Sequence, residues 1–399
     1  MILVVISLAI SSFLAELLLR KEFPIENVTP FQFRIPHPVF GWVLEPGASY
    51  INQMPEAGVQ VAYNSKGFRD VEHSFKNRHG AFRILVLGDS FMEAYSVELN
   101  DAFHKRIEQF LVKKGIDVEV INLGVGGYGT LQEYLVFHEV GQLYKPNLVL
   151  IGFYIGNDVS NNSIELESKI NSSDPLKVAS RPFLDLADST GWRTTVVDYE
   201  GAQARYAAAK LRQNSFLGKL IGQSALLQTL KKALNRFVIR LEKSRESQND
   251  QRERHLAVSG VYYCQEPPEY TKAWDITKQI LARIKQDAQS IGSELLVFSV
   301  PGFHEVKVGA MEKLIKDAPN HAAPRLEEPP AYERLRTILK ELDIEYVDLI
   351  PDFSNVMQNG DTNLFWRSDK HWNPEGHALA AKLVGSFLLE KNLLSSTGN

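Results

Sequence analysis

Four short motifs of the sequence carry side chains that could act together on an ester. Ser90 stands in Gly88-Asp89-Ser90, directly after an apolar run that is typical of a strand. A serine on such a tight strand-to-helix turn can expose its hydroxyl, and its own N–H at the helix start can stabilise a developing oxyanion. Turns favour these residue types in any case, so the tripeptide alone is a weak indication.

The second and third motifs could supply further oxyanion donors. Residues 121–130, INLGVGGYGT, form a glycine loop whose N–H groups could approach a reacting oxygen. The loop also matches G-x-G-x-x-G, but residues 144–157 lack the acidic residue that a dinucleotide site requires. Asn157, in Gly156-Asn157-Asp158, carries an amide that can donate to an oxyanion, although such a tripeptide is also an ordinary turn.

The fourth motif, Asp369-Lys370-His371-Trp372-Asn373, pairs a histidine with an acid. A carboxylate near a histidine fixes the tautomer that a general base needs. Two more side chains are candidates for substrate contact. These are His304, in SVPGFHE, and Trp372, which could stack on a sugar or simply pack locally.

The motifs fall within a repeating α/β pattern. Continuous apolar runs predict strands at 82–88, 118–124, 147–153, 295–300 and 344–349, and helix-period stretches occupy 101–114, 130–143, 270–291, 331–342 and 374–391. This alternation predicts a parallel sheet covered on both faces, with ligands at the carboxyl ends of its strands. Because the first three motifs follow successive strands and the fourth precedes the last helix, we expect all four at one edge of the sheet. Acyl transfer requires this arrangement.

In these four blocks, and in their order, the chain resembles the SGNH family of GDSL-type esterases and acyltransferases. The resemblance covers about 82–158 and 292–391 and matches Ser90, Gly127, Asn157 and His371. It implies an α/β, flavodoxin-like three-layer fold and an acyl-enzyme mechanism without cofactor or metal. The implied catalytic residues are Ser90, His371 and Asp369, and the implied oxyanion hole is formed by Ser90, Gly127 and Asn157.

The position of the acid departs from the family pattern. Many members place it three residues before the histidine, where this chain has Ser368, whereas Asp369 lies two before. The D-x-H-W form looks like the branch that includes alginate acetyltransferase-like proteins, which favours sugar O-acetylation or de-acetylation. Another acid, or a backbone carbonyl, could orient His371 instead.

The sequence thus favours a serine esterase that removes an O-acyl group, most readily O-acetyl, from a glycan. A glycan O-acetyltransferase would use the same catalytic residues. A lipid or thioester hydrolase is a third hypothesis, and a non-enzymatic glycan-binding protein of the cell envelope is a fourth. Partner proteins are not indicated.

Residues 2–19 are apolar apart from Glu16 and predict an uncleaved membrane anchor. A cleaved signal peptide and a buried helix are the alternatives. Arg20 and Lys21 follow the run and favour a cytoplasmic body by the positive-inside rule. The expected glycan substrate instead favours a catalytic domain outside the cytoplasm, in the cell envelope, so the orientation stays open.

Composition and charge set the remaining limits. The 399 residues contain one cysteine, Cys264, which excludes an internal disulfide, and the net charge of −4 gives no attraction toward nucleic acid.

The stretch between Arg205 and Arg245 contains ten basic residues and one acidic residue, and its pattern predicts an amphipathic helix. It could be a lid, a helix on anionic lipid, or an insertion packed on the body. We expect an anchor at 1–23, a strand and turn extension at 24–80, a catalytic domain at 81–160 and 265–392, and an insertion, a possible lid, at 161–264.

Overall fold

The N-terminal part of the chain forms one long helix and two antiparallel hairpins. The computed structural model describes residues 2–22, 33–77, 80–171, 178–185, 193–245, 247–315, 330–359 and 363–394. Helix α1 spans Ile2–Glu22, and the strands are β1 (Arg34–His37), β2 (Gly41–Leu44), β3 (Ser49–Gln53) and β4 (Gly58–Ala62). Strand β1 pairs with β2, and β3 pairs with β4.

Helix α1 is long and apolar enough to cross a membrane. Its span Leu3–Lys21 has a mean hydropathy of 2.0 and is not buried against the rest of the protein. Length and composition alone do not separate an anchor from a signal sequence, because both pass this test.

The first half of the main sheet follows the extension. Its elements are β5 (Phe82–Gly88), α2 (Ser90–Glu93), α3 (Phe103–Lys113), β6 (Val118–Asn122), α4 (Thr130–Glu139), β7 (Leu148–Phe153) and α5 (Ile155–Asp158). A helical insertion comes next, with α6 (Ile164–Ile170), β8 (Pro182–Leu184), β9 (Thr194–Val196), α7 (Tyr199–Asn214), α8 (Phe216–Gln223), α9 (Ala225–Arg245) and α10 (Gln248–Ser259).

The chain then returns to the sheet. The remaining elements are α11 (Pro268–Ser290), β10 (Glu294–Ser299), α12 (Phe303–Val306), α13 (Ala310–Leu314), α14 (Pro330–Glu341), β11 (Glu345–Val347), α15 (Ile350–Asn359) and α16 (Pro374–Glu390). All five strands and all five helices expected for the α/β pattern are present, within a few residues of their predicted ends.

The central sheet has five parallel strands in the order β6-β5-β7-β10-β11. This order reverses beside β5, so the ends of β5 and β7 border a crevice where ligands bind in doubly wound sheets. The predicted α/β fold with a flavodoxin-like parallel sheet is confirmed.

Alternate residues along the strands of the sheet pack into two apolar layers. Leu85 and Leu87 of β5 pack into one layer with Trp274 of α11, whereas Ile84 and Val86 pack into the other with Val384 of α16. The hairpins of the extension join the first layer through buried side chains that include Phe40, Trp42, Tyr50 and Val61. The extension is therefore part of the same core, and its residues can reach the crevice.

Candidate active site

Ser90 is the first residue of α2, at the carboxyl end of β5. Gly88 just before it has a φ of +153°, and a Cβ there would lie 2.4 Å from Cγ of Met92, so the turn excludes a side chain at that position. Asp89 caps the helix, because its Oδ1 accepts a 2.9 Å hydrogen bond from the N–H of Phe91. The N–H of Ser90 thus stands at a helix start, where intrahelical acceptors are absent.

His371 faces the serine across the crevice. Its Nε2 lies 2.8 Å from Oγ of Ser90. The loop that carries it is closed by a bond from the N–H of Trp366 to the carbonyl of His371, and Phe91 packs against the imidazole with ring centroids 4.9 Å apart. The distance is within the range that proton transfer from serine to histidine requires.

Asp369 lies on the other side of the imidazole. Its Oδ2 is 3.3 Å from Nδ1 of His371, and its Oδ1 accepts from the N–H of the same residue. The contact with Nδ1 is an ion pair by distance, but Nδ1 makes no aligned hydrogen bond. Burial alone would raise the pKa of Asp369, yet the contacts with His371 hold that pKa below its ordinary value, so the carboxylate stays charged. Ser368 instead donates through N–H and Oγ to Glu56.

Two groups next to Ser90 could hold an oxyanion. Gly127 has a φ of +78°, and a Cβ on it would come within 3.2 Å of Nη2 of Arg34, so this turn needs glycine. The side-chain amide of Asn157 donates from Nδ2 to Oδ2 of Asp89 over 2.8 Å. Because that amide carries two protons, one remains for a ligand.

Three buried carboxyl groups lie behind the crevice. Burial raises the pKa of Asp89, Glu133 and Asp158, and their mutual repulsion adds to the rise for Glu133 and Asp158. Asp158 accepts from the N–H of Tyr154 at 2.7 Å, which fixes the turn that carries Asn157.

The glycine loop is held by charged residues that the sequence did not single out. The carbonyl of Gly126 accepts from Arg34 of β1, and its N–H donates to Oε2 of Glu93 at 2.6 Å. The carbonyl of Gly127 accepts from Nη2 of Arg181 at 3.0 Å. The sequence feature that could have identified Glu93 is its position one helical turn after Ser90 on α2. The two arginines lie in the extension and the insertion, far from every motif.

Trp42 supports both guanidinium groups. The Cζ atoms of Arg34 and Arg181 lie 4.9 and 5.1 Å from the centroid of its ring. Burial lowers the pKa of Arg34, and the nearby charge of Glu93 opposes that effect. A buried aromatic ring and two cations therefore fix the loop that carries Gly127.

These groups line a cavity of about 320 Å³ that opens beside Ser90. Leu44 and Arg34 come from the extension, and the insertion contributes several residues, among them Glu167, Asn171, Arg181 and Val258. That the insertion closes over the site as a lid stays a prediction. Among the described residues that line the cavity, the insertion is represented by its first part and by Val258, whereas helices α7–α9 supply none.

The two candidates for substrate contact do not reach this cavity. Trp372 is wholly buried, donates from Nε1 to the carbonyl of Pro301 and packs edge-on against Phe91, so the prediction that it stacks on a sugar is wrong. His304 is half-buried on α12 and packs against Phe303. It is absent from the described lining of the cavity.

The comparisons with known proteins agree with this geometry. Residues 264–399 match the family model described as "SGNH hydrolase-like domain, acetyltransferase AlgX". This stretch is thus similar to an SGNH hydrolase-like domain. The match supports an ester hydrolase or acyltransferase. The matched stretch contains Asp369 and His371, whereas Ser90 and Asn157 precede it. No curated protein matches the sequence.

Several solved structures resemble this chain distantly. An acetyl xylan esterase, AlAXEase, is 12% identical with a TM-score of 0.38, and the alignment covers 77% of this chain and 99% of that one. A catalytic mutant of Axe2, an acetylxylan esterase from Geobacillus stearothermophilus, is 9% identical with a TM-score of 0.38 and coverages of 77% and 93%. TesA is 11% identical with a TM-score of 0.36 and coverages of 78% and 99%. Likenesses this distant carry no information on the substrate.

Proposed function

We propose that the chain is a serine esterase that removes an O-acyl group, most readily O-acetyl, from a glycan. The observation that carries the proposal is the 2.8 Å contact between Oγ of Ser90 and Nε2 of His371, beside Gly127 and the amide of Asn157. A nucleophile, a base and oxyanion donors around one small cavity are what acyl transfer requires.

The first half of the reaction forms an acyl-enzyme. His371 takes the proton of Ser90 as Oγ attacks the ester carbonyl carbon, and Asp369 stabilises the imidazolium that results. The N–H groups of Ser90 and Gly127 and the amide of Asn157 hold the oxyanion. When the tetrahedral intermediate collapses, the carbon–oxygen bond to the alcohol breaks and His371 returns the proton to that alcohol.

The second half depends on the acceptor. Water, deprotonated by His371, attacks the acyl carbon in hydrolysis, and a sugar hydroxyl attacks in the same way in transfer. The bond from the acyl carbon to Oγ of Ser90 then breaks, His371 returns the proton to Oγ, and the carboxylic acid or the acylated sugar leaves. The family description names an acetyltransferase, which specifically supports glycan O-acetyl transfer as the second candidate.

The lining of the cavity supports a small acyl group on a polar alcohol. Arg34, Arg181 and Glu93 stand beside asparagine and serine side chains, and aliphatic lining is confined to a few residues such as Leu44. A long acyl chain would bury apolar surface against charged groups there, so a lipid ester fits less well.

The test uses the full chain in detergent and compares it with Ser90→Ala. Acetate release from p-nitrophenyl acetate and acetylated oligosaccharides should fall by roughly 10⁴- to 10⁶-fold in the variant, because the nucleophile is lost. Sugar acceptors are added in a parallel series. Acetyl groups that move to those sugars instead of water would assign the chain as a transferase.

Ser368→Ala is the matched control for this experiment. It removes a serine hydroxyl close to His371 in the chain, but that hydroxyl binds Glu56. Turnover in the control should stay near that of the unmodified chain. Equal turnover in Ser90→Ala and the unmodified chain would reject the serine mechanism.

We also propose that α1 is retained as an anchor that holds the catalytic domain at the cell envelope. Support comes from its length and hydropathy and from contacts that Glu16 makes with the insertion, described next.

A further inference from the structure

Helix α9 of the insertion stands apart from the body of the protein. Every described side chain from Leu230 to Val238 is exposed, on all faces of the helix. An isolated helix of this length is marginal in water, and most helical stability in proteins comes from packing of an amphipathic face. The sequence of α9 therefore requires a surface that covers it.

The exposed side chains of α9 separate into two faces. Leu230, Leu234, Phe237 and Val238 recur at the spacing of one helix face, and Leu234 and Phe237 are 62% and 59% exposed. Helix α8 adds three exposed apolar side chains, Phe216, Leu217 and Leu220. Two consecutive helices therefore each expose several large apolar side chains, which is more than the singly scattered exposed residues of an ordinary monomer.

Basic residues border that apolar face. Lys231 lies on one side of it and Arg240 on the other, whereas Arg236 lies on the opposite face of α9. A helix with an apolar stripe and flanking cations suits the headgroup region of an anionic bilayer, where long basic side chains reach the phosphates.

The anchor helix is attached to the start of α9. The carboxylate of Glu16 accepts hydrogen bonds from the N–H groups of Ala225 and Leu226 at 2.9 Å and from Oγ of Ser224 at 2.8 Å. Arg20 donates to the carbonyl of Gln223 at 2.7 Å. The one acid in the apolar run of α1 thus caps the N-terminus of the amphipathic helix.

We propose that α8 and α9 form a membrane-binding surface that lies on an anionic bilayer beside the anchor. The occupant is the lipid surface itself, because the start of α9 is bound to a helix that can span that bilayer and the apolar face has a cationic border. The proposal uses α1 as an anchor and is independent of catalysis.

The experiment uses the full chain with Cys264→Ser and a single new cysteine carrying an environment-sensitive fluorophore. Leu234→Cys places the label on the apolar face, and its neighbour Asn235→Cys is the matched control on the polar side. The protein is reconstituted in vesicles of phosphatidylcholine with phosphatidylglycerol, and lipids bearing a doxyl quencher are added. The label at 234 should emit at shorter wavelength and be quenched several-fold more than the label at 235.

Charge is tested in the same vesicles. Lys231→Gln together with Arg240→Gln should reduce quenching at 234 and remove its dependence on phosphatidylglycerol, because these side chains would no longer bind lipid phosphates. Lys113→Gln with Lys114→Gln, on exposed positions at the end of α3, should leave the quenching unchanged. An unchanged thermal unfolding midpoint in each variant verifies that the fold is retained.

Equal quenching at 234 and 235 would overturn the proposal. A label at 234 that is shielded from water but untouched by the lipid quencher would also overturn it, since the face would then be covered by a second copy or another protein.

Discussion

At the scale of single residues, Asn157 is held by the same acid that caps the nucleophile helix. Asp89 accepts from the N–H of Phe91 through one oxygen and from Asn157 through the other. The positions of Ser90 and Asn157 are therefore linked through one buried carboxylate, so a donor for the oxyanion needs no rearrangement when the reaction begins.

Asn157→Ala tests this arrangement. We expect kcat on acetyl esters to fall by about 10²–10³-fold, because one oxyanion donor is lost while Ser90 and His371 remain in place. Asn161→Ala, which removes another amide from the same cavity, should keep most of kcat. A turnover near that of the unmodified enzyme in Asn157→Ala would remove Asn157 from the site.

The sequence predicted which residues meet in the crevice but not how each one is oriented. Ser90, Gly127 and Asn157 follow from motifs at strand ends, because parallel strands bring those ends together, and His371 follows from the motif before the last helix. The alignment of Asp369 depends on the loop that carries Lys370, whose φ is +64°. A tryptophan beside a polar motif has the same sequence pattern whether it packs inward, as Trp372 does, or faces a ligand.

At the scale of elements, the loop with Gly126 and Gly127 is shaped from outside the sheet. Strand β1 supplies Arg34, and the segment before β8 supplies Arg181, whose Nε lies 3.3 Å from Glu167. The extension and the insertion therefore act as positioning elements for a loop that belongs to the central α/β unit.

Arg181→Lys should lower kcat without a matching change in KM. Lysine keeps the charge but cannot bind the carbonyl of Gly127 and Glu167 together, so the loop shifts away from the reacting oxygen. A displacement of about 1 Å can cost up to about 10²-fold in rate. Steady-state kinetics on an acetyl ester measure the effect.

Arg205→Lys is the control for that variant, because Arg205 lies in the same insertion but pairs with Asp198. Its kcat should be unchanged. Parallel losses of kcat and unfolding temperature in Arg181→Lys would indicate a purely structural role.

Strands were predicted correctly where burial imposes a continuous apolar run on the sequence. Contacts between residues far apart in the chain were not predicted. Strand β7 is buried along its whole length and β5 from Arg83 onward, and their continuous apolar runs were recognisable. Strand β1 carries Pro36 and is only partly buried, so its pairing with β2 left no periodic pattern. The roles of Arg34 and Arg181 depend on contacts with residues tens of positions away.

At the scale of the whole molecule, Asp70 joins the extension to the central sheet. Its carboxylate lies 2.8 Å from Nζ of Lys105 and 3.1 Å from Nε2 of His73, and it accepts from the N–H of Asn122. Burial alone would raise the pKa of Asp70, but these groups and His104 hold that pKa well below its ordinary value.

Asp70→Asn should therefore destabilise the protein in a pH-dependent way. The pKa of Asp70 is lower in the folded than in the unfolded state, so its charge adds stability above about pH 4, and that stability is lost as the pH falls toward the folded value. At pH 5 we expect a loss of about 3–5 kcal/mol, because buried Lys105 would lose its nearer carboxylate and keep only Glu108, at 3.5 Å. The loss should shrink at pH 3.

Urea unfolding followed by tryptophan fluorescence measures both values. Asp117→Asn, an exposed acid just before β6, should change the free energy of unfolding little at either pH. A pH-independent loss in Asp70→Asn would contradict the proposed charge interaction.

The chain between α1 and Arg34 limits how far the active site can be from the anchor. Helix α1 ends at Glu22 and β1 begins at Arg34, so twelve peptide units separate them. At about 3.5 Å per residue, Arg34 can stand no more than about 40 Å from the end of the anchor. With α1 in a bilayer, the enzyme and a membrane-attached substrate meet by lateral diffusion, and the rate then depends on their surface densities.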